Sequence, residues 1–144
     1  MSRRSRPTLF AAALLFAAAG CASTLHVAAP ELAARASANP LAAQRDLGKK
    51  RVIVQGMVRQ TSLTQRRSVV ATGFGYGAVA EEKHDSIPVV ILEPGSVLCY
   101  FEPEQIAAAA AIREGETVRL DCTIDSFRVE GGQVLSVLAG CDRE

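Results

Sequence analysis

From Arg51 onward the apolar positions of the chain recur every second residue. Val52, Val54 and Val58 share a face with Gly56, which predicts a strand over Arg51–Gln60, because successive strand side chains point to opposite faces. A glycine inside that alternation predicts a bulge or tight bend of the kind that lets a small sheet curl. Ile87–Glu93 carries the run Val89-Val90-Ile91-Leu92, Pro94-Gly95 is a turn dipeptide, and Val97, Cys99 and Phe101 then alternate with Leu98 and Tyr100. These stretches predict a hairpin. The period changes at Glu102: Pro103 and Glu104 suit a first helical turn, Ala107 to Ala111 are strong helix formers, and Gly115 suits the end. Alternation returns over Glu116–Arg128, with Val118, Leu120, Cys122 and Ile124 on one face. Gly131-Gly132 and Gln133–Cys141 complete a second hairpin on a glycine-pair turn.

Two stretches fall outside this pattern. Thr61–Ser86 is too long for a structureless connection in a compact domain, and Ser68–Ala71 and Ala78–Ala80 flank the alternating glycines of Gly73–Gly77. It reads either as an inserted hairpin or as a mobile loop. A phosphate-cradling role for those glycines needs a helix after them, and no helical pattern follows. Ala22–Asp46 is alanine-rich and punctuated by Pro30 and Pro40; its short helix-friendly piece, Glu31–Ala36, does not hold alone in water. We read residues 21–46 as a tether. The remaining order is strand, long loop, hairpin, helix, hairpin. It predicts a mainly β domain over residues 47–144, a five-stranded, partly open barrel of the OB-fold type with one helix between strands three and four.

The first twenty residues carry Arg3, Arg4 and Arg6, an uncharged apolar run from Leu9 to Ala19, and then Gly20-Cys21. At about 1.5 Å per residue that run reaches roughly 16 Å, half a bilayer core. It is therefore a cleaved export signal rather than a span. Small residues directly before a cysteine resemble the lipobox of bacterial lipoproteins, which implies acylation of Cys21 and a membrane held through an N-terminal lipid. With Ala22 next, the resemblance implies the outer membrane, facing the periplasm. Loss of the three arginines moves the formal charge from +1 to −2, so global charge names no partner.

Export changes the meaning of Cys99, Cys122 and Cys141, since disulfides persist in oxidising compartments. A two-residue turn at Gly131-Gly132 sets Cys122 opposite Cys141, at a Cα separation a disulfide tolerates. Two other readings stay open: the cysteines pack as small buried residues, or Cys99 takes one of them as its partner.

Lys50-Arg51-Val52-Ile53-Val54-Gln55-Gly56-Met57-Val58, Val97-Leu98-Cys99-Tyr100-Phe101 and Gly140-Cys141 resemble the bacterial OB-fold lipoproteins grouped as tRNA-anti-like. The resemblance runs from Leu41 to Cys141. It departs at Leu120, where such domains commonly carry a glycine. It implies an OB-fold and, by its name, a likeness to tRNA-binding domains; export argues against nucleic acid as the partner.

Catalytic chemistry has little to work with. The only histidines are His26, in the expected tether, and His84, in the long loop, so a Ser-His-Asp or Cys-His site has no scaffold. No Cys-x-x-Cys occurs, and with so few histidines we expect no metal and no cofactor. Asp121 and Asp125 fall on the outward face of the fourth strand and read as solvated carboxylates rather than an acid–base pair. One asymmetry remains: Lys49, Lys50, Arg51, Arg59, Arg66 and Arg67 lie between Leu47 and Ala80 without an acid. The sequence thus points to a non-enzymatic envelope module with no small-molecule substrate, whose basic first strand and loop take an anionic envelope polymer or an acidic protein. The alternative is a structural protein docking a larger envelope complex.

Overall fold

The computed structural model describes residues 23–72 and 79–144. Its elements, in order, are β1 (Leu25–Ala28), α1 (Ala29–Ala38), α2 (Pro40–Leu47), β2 (Arg51–Thr72), β3 (Val79–Leu92), β4 (Val97–Phe101), a 3-10 turn (Pro103–Gln105), α3 (Ile106–Ala110), β5 (Thr117–Glu130) and β6 (Gln133–Arg143). The six strands form one sheet in the order β1-β2-β3-β4-β6-β5. An additional β2–β5 pairing returns the hydrogen bonding to its start. In that seam Arg51 to Met57 run antiparallel to Thr123 to Thr117, so β2, β3, β4, β6 and β5 enclose a common interior. The alternation read from the sequence fills it: Val52, Val54, Val90, Leu92, Val97, Leu120, Ile124 and Leu138 are all buried.

The segment expected to be a tether is folded. β1 pairs parallel with β2, Leu25 beside Val52 and Ala28 beside Gln55. α1 buries Ala29, Leu32, Ala33 and Ala36, one helical face at three- and four-residue spacing, and touches β2, β4 and β6. Proline stands in the first turn of both α1 and α2, where its missing N–H is no loss. Asn39 caps α2 by accepting from the Ala42 amide at 3.0 Å. Gln44 then accepts from the Phe127 amide at 3.0 Å, fastening α2 to β5. An alanine-rich stretch too short to be stable alone is held by packing, which is where most helical stability in proteins arises.

Gly56 is not a bulge. A Cβ there would stand 2.8 Å from the Ala29 Cβ and 3.3 Å from Leu92, so its bareness admits the start of α1. The irregularity in β2 falls two residues later, between Val58 and Gln60. The expected helix is also shorter than its pattern. Glu102 and Gln105 make a capping box around the 3-10 turn, five α-helical residues follow, and Ile112 then folds inward, 3% exposed.

Of the two readings of Thr61–Ser86, the hairpin holds for its described residues. β2 and β3 pair continuously from Gln60↔Ile91 to Thr72↔Val79, making a two-stranded arm. Gly73–Gly77 lie outside the described residues, as do Cys21 and the export signal.

In the β5–β6 hairpin the pairing implied by the glycine turn holds from Glu130↔Gln133 to Ser126↔Val137. It slips by one residue at Ile124↔Leu138 and Thr123↔Ala139, and recovers at Asp121↔Asp142. The two irregularities cancel, so Cys122 and Cys141 meet, Cα atoms 4.2 Å apart and sulfurs at 2.15 Å. Cys99 is a free, buried thiol.

Candidate functional site

The six basic residues do not form one patch. Lys49 donates to Asp125 at 2.6 Å and Arg51 to Asp121 at 2.5 Å, so two of them are answered by the two aspartates of β5. Those hydrogen bonds are the chief cause holding both aspartates below the ordinary carboxylate range, against the opposing effect of partial burial. The Arg51 guanidinium is raised by the same contact. Each aspartate therefore stays ionised and paired rather than available for proton transfer. Arg59 donates to the Pro94 carbonyl at 3.0 Å, bracing the β3–β4 turn. Lys50, Arg66 and Arg67 are exposed and have no ion-pair partner among the described residues. Alternation along β2 sends adjacent Arg66 and Arg67 to opposite faces of the arm.

Two of the six line open grooves: Arg51, beside its partner Asp121, lines one of about 470 Å³, and Arg66, which has no ion-pair partner among the described residues, lines a second. This second groove, of about 420 Å³, runs between the arm and the β5–β6 hairpin. Ile87, Tyr100 and Val137 line it together with Arg66 of the arm and with Asp125 and Arg128 of β5. Tyr100 is half-buried because it is an outward position of β4, where Val97, Cys99 and Phe101 are the inward ones. Arg128 is steadied by the Ser126 hydroxyl at 3.2 Å and stands 4.0 Å from Asp125, whose charge Lys49 already answers. An aromatic surface and two guanidinium groups along one groove suit a flat ring on an anionic chain. Sequence reasoning missed Tyr100 and Arg128 as site residues. The signal for Tyr100 was its place on the polar side of an alternating strand, whereas Arg128 gave none.

A second feature is buried. The sulfurs of Cys99, Cys122 and Cys141 lie within 4.8 Å of one another. Burial pushes the Cys99 thiol up to about 12, so it stays protonated and unreactive near neutral pH. With Cys122 and Cys141 joined, the trio does not offer three metal ligands.

The overall fold of this small, mainly-β chain is similar to that of a bacterial lipoprotein. The crystal structure of a "putative nucleic acid-binding lipoprotein" from Klebsiella pneumoniae subsp. pneumoniae MGH 78578 superposes with a TM-score of 0.56, at 16% identity, over 85% of this chain and 93% of that one. The likeness is one of fold. No protein-family model matches the chain, and no curated protein does. No described helix is long and apolar enough to cross a membrane.

Proposed function

We propose that this protein is a lipid-anchored, non-catalytic OB-fold module of the bacterial envelope, of the tRNA-anti-like kind, that holds an anionic chain in the groove between its two long hairpins. The observation that carries the reading is that Tyr100, Arg66 and Arg128 line one groove. Several features support the OB assignment. β2, β3, β4, β5 and β6 follow one another with α3 between the third and fourth of these, and OB-folds bind oligonucleotides and oligosaccharides on strands two and three and the adjoining loops. Ile87 of β3 and Tyr100 of β4, the second and third of these strands, are among the residues that line the groove. The name of the Klebsiella protein adds nucleic acid to the chemistries to be tried; an acidic envelope polysaccharide offers the same charge without the flat bases. Cys21, through its acyl chain, would hold the module on the outer membrane, facing the periplasm.

Fluorescence anisotropy with a labelled single-stranded oligonucleotide and with an acidic oligosaccharide distinguishes the two ligands. Tyr100→Ala should weaken oligonucleotide binding by about tenfold or more, the usual worth of one stacked base, and Arg66→Ser or Arg128→Ser should weaken binding of either polyanion and flatten its salt dependence. Equal affinity in parent and all three variants would remove the groove as the site.

A further inference from the structure

The groove uses one face of the arm; the opposite face and the free edge of β2 are unassigned. Beyond Val58, β2 pairs with β3 alone among the described residues. The hydrogen-bonding groups along its other edge therefore face outward, as the Val58 amide and carbonyl do toward Glu116 and Gly115 in the seam. Such an edge is a template for another strand. By alternation the face turned away from Arg66 bears Leu63, Arg67 and Val69, while Gln65, between the first two, stands at the rim of the groove. Leu63 is 61% exposed and Val69 68%, apolar side chains that a solvated ribbon has no reason to carry at both ends. At its base this face continues into an apolar cleft of about 550 Å³ between Leu63 and Pro88 on the arm and Ile106 and Ala109 of α3.

Charge decides which edge is used and by what. Along β2 from Gln60 to Val69 stand Arg66 and Arg67 and no acid, whereas β3 carries Glu82 and Asp85 against the single base Lys83, which pairs with Asp85; Asp85 also lies opposite Arg66 across the ribbon, and Arg67 faces His84. An acidic strand is attracted to the first edge and repelled from the second.

We propose that the β2 edge of the arm takes an acidic, extended segment of a partner protein, which adds to the ribbon as an antiparallel strand. Antiparallel pairing gives the more stable ladder, and alternating side chains supply the specificity of strand addition. Register then fixes the pattern of the segment: an apolar residue against Val69, any residue against Ser68, acids against Arg67 and Arg66, any two residues against Gln65 and Thr64, and an apolar residue against Leu63. From its N-terminus the partner reads apolar, any, acid, acid, any, any, apolar. The arm is thus a protein-docking strand, and its apolar face is separate from Tyr100.

The test uses the full chain and a fluorescein-labelled peptide containing Val-Thr-Glu-Glu-Thr-Thr-Leu, with the same peptide carrying lysine for both glutamates as its counterpart. Anisotropy should show saturable binding of the acidic peptide only, weakening with salt. Arg67→Glu, and separately Leu63→Ser with Val69→Ser, should each weaken it by about tenfold or more, while Arg67→Lys and Tyr100→Ala leave it within about twofold, each fold checked by circular dichroism. Absent binding, equal binding of the lysine peptide, or affinity unchanged in both arm variants overturns the docking strand. Loss of peptide binding in Tyr100→Ala also overturns it, by placing the peptide in the groove. Loss of oligonucleotide binding with Arg67→Glu and Leu63→Ser would instead make this face a nucleic-acid surface and overturn the proposal.

Discussion

Gly56 has no room for a side chain. The Ala29 methyl and Leu92 crowd the place a Cβ would take, and overpacking a core by one methyl typically costs about 1 to 3 kcal/mol. Gly56→Ala should therefore lower the urea midpoint by a corresponding amount at unchanged slope; a stability equal to the parent would mean that α1 does not rest on β2 there. The alternation in β2 marks Gly56 as special, yet its partner lies in a segment whose role hydropathy alone hides, so the cause of the glycine is out of sequence's reach. The same limit applies to charge. Lys49 and Arg51 stand out as bases without nearby acids in the chain, and Asp121 and Asp125 as paired carboxylates; only the β2–β5 seam shows them to be each other's partners.

At the scale of elements, the strands whose alternation is strong were legible and those held by context were not. Val, Ile and Leu at period two mark the inner halves of β2 and β3, all of β4, and β5 and β6. The outer arm reads Thr-Ser-Leu-Thr-Gln-Arg-Arg-Ser, with Leu63 its one apolar residue and so no period to read, because no core lies beneath it. α1 shows its buried stripe at positions 29, 32, 33 and 36, but three of the four are alanines, whose small hydropathy does not separate a packed helix from a spacer. Leu32 is the decisive side chain, fully buried in the common core. Leu32→Ala should cost about 2 to 5 kcal/mol, read as a fall in the thermal midpoint. A spacer would show no change, and that outcome would detach α1 from the domain.

For the whole molecule, the groove and the arm depend on a body that holds the two hairpins apart, while the proposed membrane anchor would rest on Cys21. Cells making Cys21→Ser should release into the soluble envelope fraction what the parent leaves on membranes, and co-sedimentation of the variant would reject the lipid anchor. The order of β2 to β6, with the helix before β5, was legible because it rests on period changes along the chain. The location of the groove was not, since it arises from the angle between two hairpins that no local pattern encodes.

The seam that closes the sheet pairs Arg51–Met57 with Thr117–Thr123, from opposite halves of the chain. Long-range pairings form late, since the entropy of closing the intervening chain is lost before any contact compensates it. During synthesis, N-terminus first, β2 therefore emerges with its core valines uncovered and stays so until β5 arrives. A nascent chain of this design remains threadable until nearly all of it has been made, which is what the envelope location proposed above would require.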